Sequence, residues 1–418
     1  MEDIKREAYL NKLIDSKENS MIKVITGIRR CGKSYLLFNL YYDYLLSIGV
    51  KENQIIKIAL DNRANKKFRD PDILETYLKE KLKNDNMNYI FLDEIQLVSD
   101  FEYVLNGINR FTNADIYVTG SNSKFLSTDI ITEFRGRGYE IRINPLSFSE
   151  FSNAFTGKTE EMWNEYFRYG GLPMILSFKN DEQKSKYLTS LFEKVYLTDV
   201  IERNNLQKDN VLESIINILA SSVGSLTNPL KISNSFISNG VKGVTDKTVS
   251  TYINYLTEAF MINKAERYDI KGKKYISTPS KYYFSDIGLR NARLNFRQQE
   301  ENHIMENIIF NELLVRGLNV DVGIVDHWTT DLKGKRIKKQ LEVDFVCNQG
   351  SKRYYIQSAL AIPDTEKMQQ EQNSLIRIDD SFKKIIIVKE NIRLWRNDQG
   401  IVIMGIQEFL LKKDSLDL

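Results

Sequence analysis

Cysteine, histidine and proline are all scarce in this 418-residue chain, at two, two and six residues. Cys31 and Cys347 cannot build a disulfide framework. With only His303 and His327 beside them, no zinc-ligand cluster can be assembled. Ser-, Gly- or Pro-rich stretches are missing too, so whatever domains exist are expected to abut without extended linkers. Charge of one sign is also lacking. Against 59 basic residues stand 56 acidic ones, a net charge of +3, so any basic face that met nucleic acid would have to be local. Apolar runs long enough to span a membrane are absent, and residues 1–20 are charged and helical in pattern, without the apolar core of a signal peptide. The expected location is the cytoplasm, with no membrane partner. What is present, 42% hydrophobic and 28% charged residues over a length beyond one typical core, describes a globular chain of two or three domains.

The stretch from Met21 to Leu37, MIKVITGIRRCGKSYLL, carries the strongest chemistry. Met21 to Thr26 is a short Ile/Val-rich run of the kind a buried strand uses. Gly27, Gly32, Lys33 and Ser34 fill G-x-x-x-x-G-K-[ST], and Leu36, Leu37, Leu40 and Tyr44 follow at helical spacing. A loop between strand and helix presents successive N–H groups and a helix N-terminus to an anion. Gly27, Ile28, Arg29, Arg30, Cys31, Gly32, Lys33, Ser34 and Tyr35 are therefore the expected nucleotide-binding segment. Lys33 is expected to reach the β- and γ-phosphates of ATP, and the Ser34 hydroxyl to join a Mg2+ shell.

Asn88 to Gln96, NYIFLDEIQ, reads as a buried strand delivering Asp93 and Glu94 at its carboxyl edge, where ligands sit in open α/β sheets. Asp93 is expected to hold the metal with Ser34, and Glu94 to polarise the attacking water. Further strands are expected at 54–61, 114–120 and 139–143, and helices at 2–14 and 71–83. After the strand at 114–120, Ser121 and Asn122 stand where a polar side chain could bond the γ-phosphate or the water. Capping the next helix is an equal alternative.

Taken in order, GIRRCGKS, FLDEIQ, VTGSNSKFLS, FRGRGYEIRINPLSFSEF and RYGGLP resemble a prokaryotic family of AAA+-type ATPases that carries a conserved domain of unknown function at its C-terminus. The resemblance runs through the whole chain. It implies a parallel sheet ordered 5-1-4-3-2, a helical lid and an arginine near the fifth strand. Arg137 matches the arginine of the family's L-x-G-R motif, with Phe134 in place of the leucine. Such an arginine could reach the γ-phosphate of a neighbouring subunit in a homo-oligomer, or Arg135 and Arg137 could be surface charges paired with Glu133 or Glu140.

The remainder is expected to follow an ATPase core at 1–150. Residues 151–208 form the helical lid, with a sharp reversal at YGGLP (169–173) and a long amphipathic helix over 181–202. Residues 209–295 read as a winged helix of three helices and a hairpin. If that module reads DNA, Lys247, Thr248, Ser250, Thr251 and Asn254 face the major groove, and Lys271, Lys273 and Lys274 touch phosphate. If it is a scaffold, they do neither. Residues 296–418 resemble the PD-(D/E)xK nuclease core, in which an Asp and a Glu bind metal and a lysine assists the water. Here the expected Glu-x-Lys reads Gln357-Ser358-Ala359, so nuclease activity is not expected. Asp344, with Glu342 or Glu312, is the residual metal candidate. The overall expectation is an α/β P-loop ATPase hydrolysing ATP as a switch or remodeller. The alternative is a nucleotide-controlled DNA-binding protein.

Overall fold

The computed structural model describes residues 4–120, 134, 136–206, 210–297, 300–330, 334 and 336–418. The chain forms two compact units, residues 1–145 with 258–260, and residues 146–257 with 261–418. The expected ATPase core falls almost wholly in the first. The segments 151–208, 209–295 and 296–418 fall in the second, apart from 258–260.

In the first unit, strands β1 (Ile22–Thr26), β2 (Ile55–Ala59), β3 (Asn88–Asp93), β4 (Ala114–Thr119) and β5 (Gly138–Arg142) form an all-parallel sheet in the order β2-β3-β4-β1-β5. This is the order implied by the family resemblance. Every residue of β1 and β3 is buried, as a sheet covered on both faces requires. On one face Ile22, Val24, Ile90, Leu92, Ile116 and Val118 pack with helices α3 (Pro71–Lys81) and α4 (Phe101–Ile108). Helix α3 starts where Pro71 follows an Asp70 cap whose carboxylate accepts from the Asp72 and Ile73 amides. On the other face Phe91 and Tyr117 meet Tyr41. Tyr41 belongs to α2 (residues 33–47), built from Lys33–Tyr35, a π-helical stretch Leu36–Tyr41, and Tyr42–Ser47. Helix α1 (Glu7–Asp15) precedes β1.

In the second unit the expected long helix is observed over residues 181–203, assembled from Asp181–Leu191, a π-helical Phe192–Leu197, and Thr198–Arg203. The YGGLP reversal docks on a later segment. Asp286 accepts from the amides of Gly171 (2.8 Å) and Leu289 (3.0 Å), and Asn291 donates to the Phe167 carbonyl (3.1 Å). A Cβ on Gly170 would lie 2.4 Å from Asp286 Oδ1. Burial pushes the Asp286 carboxyl up to about 6.

Residues 209–295 hold the helices Asn210–Ser221, Pro229–Ser238 and Asp246–Glu258, and strands β6 (Ile262–Asp269) and β7 (Lys274–Phe284). The hairpin, however, is not a free wing. It extends an eight-stranded sheet ordered β12-β13-β11-β10-β9-β8-β6-β7, with β6 parallel to β8. Helix α5 (Glu301–Val315) leads into an antiparallel meander of β8 (Asn319–Thr330), β9 (Arg336–Gln349) and β10 (Lys352–Ala359). Helix α6 (Thr365–Ile376) then crosses to β11 (Lys383–Val388), parallel to β10. The strands β12 (Trp395–Arg396) and β13 (Val402–Gly405) complete the far edge.

Candidate functional site

Because β1, β3 and β4 run parallel, Gly27, Asp93 and Thr119 all reach the same carboxyl edge of the sheet. Gly27 leaves β1 at φ 139°, and a Cβ there would stand 2.2 Å from the Ile143 carbonyl oxygen, so the loop can turn this tightly only with glycine. Gly32, at φ 101°, opens α2. Between them the buried Cys31 thiol donates to the Ile143 carbonyl (3.6 Å), and Ile28 is buried as well, so these two offer backbone rather than side chain to a ligand. Arg29 and Tyr35 are half-buried, and Arg30 is exposed. Lys33 is 5% exposed and its ammonium spans the loop, donating to the carbonyls of Gly27 (2.9 Å) and Ile28 (3.1 Å).

The expected metal pair is brought together: Ser34 Oγ donates to Asp93 Oδ1 at 3.0 Å. A third group was not expected there. The Thr119 hydroxyl donates to the same Asp93 oxygen and accepts from the Glu94 amide at 3.1 Å. Thr119 thus ties the two acidic positions to the end of β4. Burial raises the Asp93 carboxyl above the usual range, partly offset by these two hydroxyl bonds. Glu94 is half-buried, at φ 54°, and accepts from Gln96 Nε2. From behind the loop, the buried Arg6 guanidinium donates to the Cys31 carbonyl (3.1 Å) and the Asn144 carbonyl (2.6 Å). Nothing in the sequence pattern flags Arg6. Thr119 was legible only as the next-to-last residue of the strand expected at 114–120.

Ser121 and Asn122 lie outside the described residues, as do Glu133 and Arg135. Arg137 is exposed just before β5, its carbonyl accepting from the Ile22 amide at 2.8 Å. That places it at the amino edge of the sheet, the length of β1 away from the glycine loop, about 15 Å at the usual strand rise. Glu140, named as its surface partner, instead accepts from the Thr26 hydroxyl at 2.6 Å.

The second unit holds another carboxylate cluster. Glu306 on α5 and Glu342 and Asp344 on β9 converge on the Lys281 ammonium of β7, at 2.8, 2.7 and 3.5 Å. Tyr283 donates to Glu306 Oε1 (2.6 Å), and the Ser358 amide to Asp344 Oδ2 (2.8 Å). Gln357 Oε1 accepts from the Asp344 amide at 3.4 Å. A cavity of about 700 Å3 opens beside the cluster, lined by His303, Glu306, Asp344, Gln357 and Lys367 among others. Glu312, expected as a companion of Asp344, is instead bound by Arg316 at 2.8 Å, one helical turn on.

A glycine loop between a buried strand and a helix, with an Asp-Glu strand end beside it on a 2-3-4-1-5 sheet, defines a P-loop ATPase of the AAA class, and residues 19–152 match the family described as AAA domain. Residues 160–300 match a domain of unknown function, DUF8612. An uncharacterized protein of Haemophilus influenzae is 34% identical over 415 residues, 98% of this chain and 99% of that one. The chain belongs to the family of that protein, with an AAA domain followed by the domain of unknown function. The uncharacterized protein MJ1544 of Methanocaldococcus jannaschii is 28% identical over 426 residues, covering 96% of this chain and 88% of its own. Among solved structures, AMPPCP-bound DnaA from Aquifex aeolicus spans 60% of this chain and 86% of that one, at 16% identity and a TM-score of 0.31. That likeness is too slight to bear on function.

Proposed function

We propose that the first unit binds ATP with Mg2+ and hydrolyses it, and that the energy moves the second unit or a partner bound to it. The observation that carries this reading is the 3.0 Å approach of Ser34 Oγ to Asp93 Oδ1 at the mouth of the glycine loop, with Glu94 next in the chain. A hydroxyl and a carboxylate are hard oxygen donors of the kind Mg2+ takes, and the rest of its shell comes from water and phosphate. Bound there, the metal supplies charge neutralisation at the β- and γ-phosphates. The backbone amides from Ile28 to Ser34 cradle the phosphates. Lys33 exchanges its two loop carbonyls for phosphate oxygens, and Glu94 orients the attacking water while Thr119 fixes its backbone. At the far edge of the sheet, Arg137 can act only on a neighbouring subunit's nucleotide.

Calorimetry with Mg·ATP and a phosphate-release assay test the proposal. Lys33→Ala should abolish the binding heat, and Glu94→Gln should keep it while lowering turnover about 10²–10³-fold. Parent protein that shows neither heat nor phosphate release overturns it.

A second reading, nucleotide-controlled DNA binding, is favoured by one observation. Lys247, Thr251 and Asn254 are exposed along one stripe of the helix Asp246–Glu258. Binding to duplex DNA that falls steeply with salt and weakens in Lys247→Ala would support it.

A further inference from the structure

The likeness of residues 296–418 to a metal-dependent nuclease core implies a divalent cation held by helix and strand carboxylates. Glu306, Glu342 and Asp344 supply the right donor chemistry, since hard oxygens are what such ions take. The geometry does not fit an ion. The point on which the three carboxylates converge is already the place of Lys281 Nζ, within 2.7–3.5 Å of each. Two of the oxygens that face inward also serve other donors or lie beside bound ones. Tyr283 donates to the same Glu306 Oε1 as the ammonium does, and Asp344 Oδ2 is taken by the Ser358 amide.

The ammonium cannot readily yield its place. Lys281 is 3% exposed, so leaving the carboxylates would strand a buried charge without partners. Its strand is held on both sides. Ser280 exchanges both backbone hydrogen bonds with Thr227 at 2.9 Å, and Lys281 is in register with Ala265 of β6. The position where the nuclease core carries its lysine is Ala359, on β10. Here the cation comes from β7, two strands beyond the meander, and it sits among the acids rather than beside them.

We infer that Lys281 is a built-in cation that fills the carboxylate centre of the second unit, so that Glu306, Glu342 and Asp344 bind no divalent metal and instead tie α5 and β9 to β7. The cavity beside the cluster is then floored by carboxylates that already share an internal cation. It is not a metal-activated hydrolytic site.

The test uses full-length protein carrying Asp93→Ala, which removes the nucleotide-site carboxylate from the count. Mn2+ is titrated and followed by electron paramagnetic resonance. The Asp93→Ala protein should bind no Mn2+ at 1 mM metal, on the order of a hundred times the protein concentration that such a titration uses. Adding Lys281→Met should create one Mn2+ site per chain, and a further Asp344→Asn should remove it. Mn2+ bound by the Asp93→Ala protein and lost on Asp344→Asn overturns the inference. A folded Lys281→Met protein that gains no metal overturns it as well, because the ammonium would then not be what keeps the ion out. If Lys281→Met does not fold, the titration of the Asp93→Ala protein and its Asp344→Asn partner decides alone: equal and negligible binding supports the inference, and a difference between them refutes it.

Discussion

Asp93 and Asp344 make an informative pair. Both are strand aspartates, 6% and 7% exposed, and burial raises both carboxyls above their usual range. Their partners differ. Asp93 is met by two neutral hydroxyls, of Ser34 and Thr119, and the nearby cation Lys33 turns instead to loop carbonyls. Asp344 shares one ammonium with Glu306 and Glu342. Hydroxyls orient a carboxylate without neutralising it, which leaves the charge available to an incoming cation. An ammonium already occupies the place that such a cation would take. Two acidic strand positions that look alike in sequence thereby sit in different surroundings, one among hydroxyls and one against an ammonium.

Breaking the internal cation should give the largest effect. Lys281→Met leaves the buried Glu306 and Asp344 facing each other beside the half-buried Glu342, and the second unit should lose about 3–5 kcal/mol in urea unfolding. Much of that should return when Asp344→Asn is added, because the repulsion is then reduced. An unchanged midpoint would mean that Lys281 is not the cluster's counter-ion.

The next largest effect is one of pH. Burial, with the neighbouring Glu306 charge second, lifts Asp344 from 3.8 to about 7 in the folded chain. The folded state therefore favours the protonated form. That contribution is fully present below about pH 3.8 and is lost as pH rises through about 7. Lys281 is raised too, but its contribution is lost only above the ordinary lysine range, outside this window. The stability of the parent relative to Asp344→Asn should thus fall between pH 4 and 7, at most by about 1.4 kcal/mol per pH unit. A difference that stays flat across that interval contradicts the assignment.

The smallest effect sharpens the nucleotide side. Thr119→Val keeps the shape and removes the hydroxyl, costing about 1–3 kcal/mol through its lost bonds to the Asp93 carboxylate and from the Glu94 amide. It should lower turnover more than ATP affinity, since what shifts is the Asp93–Glu94 turn rather than the glycine loop. Equal loss in both would place Thr119 with the binding residues instead.

The nucleotide site was legible because its parts are local. Gly27 to Ser34 are contiguous, and the run NYIFLDE announces its own strand and edge. The order of the sheet came from family resemblance, since no local pattern states which strands adjoin. Local reading left facing open: in the helix expected at 71–83, Ile73 is 46% exposed while Leu74 and Leu78 are buried. The Lys281 cluster was illegible for the opposite reason. Lys281 stands 25 to 63 residues from its carboxylate partners, in a hairpin read as a wing. The one available hint was an inward lysine before the apolar run Tyr282-Tyr283-Phe284. The sequence reading named Glu312 beside Asp344, but Glu306 is the helix acid at the cluster, and Glu312 is held by its i,i+4 partner Arg316.

The brace that Arg6 makes behind the glycine loop also bears on where the AAA unit begins. The matched AAA span starts at residue 19, thirteen positions after this arginine, yet the Cys31 and Asn144 carbonyls both lean on its guanidinium. A shortened protein cut at the family boundary would keep every signature residue and lose the strut that holds their loop against the strand β5 exit. Domain dissection of this chain should therefore start ahead of α1.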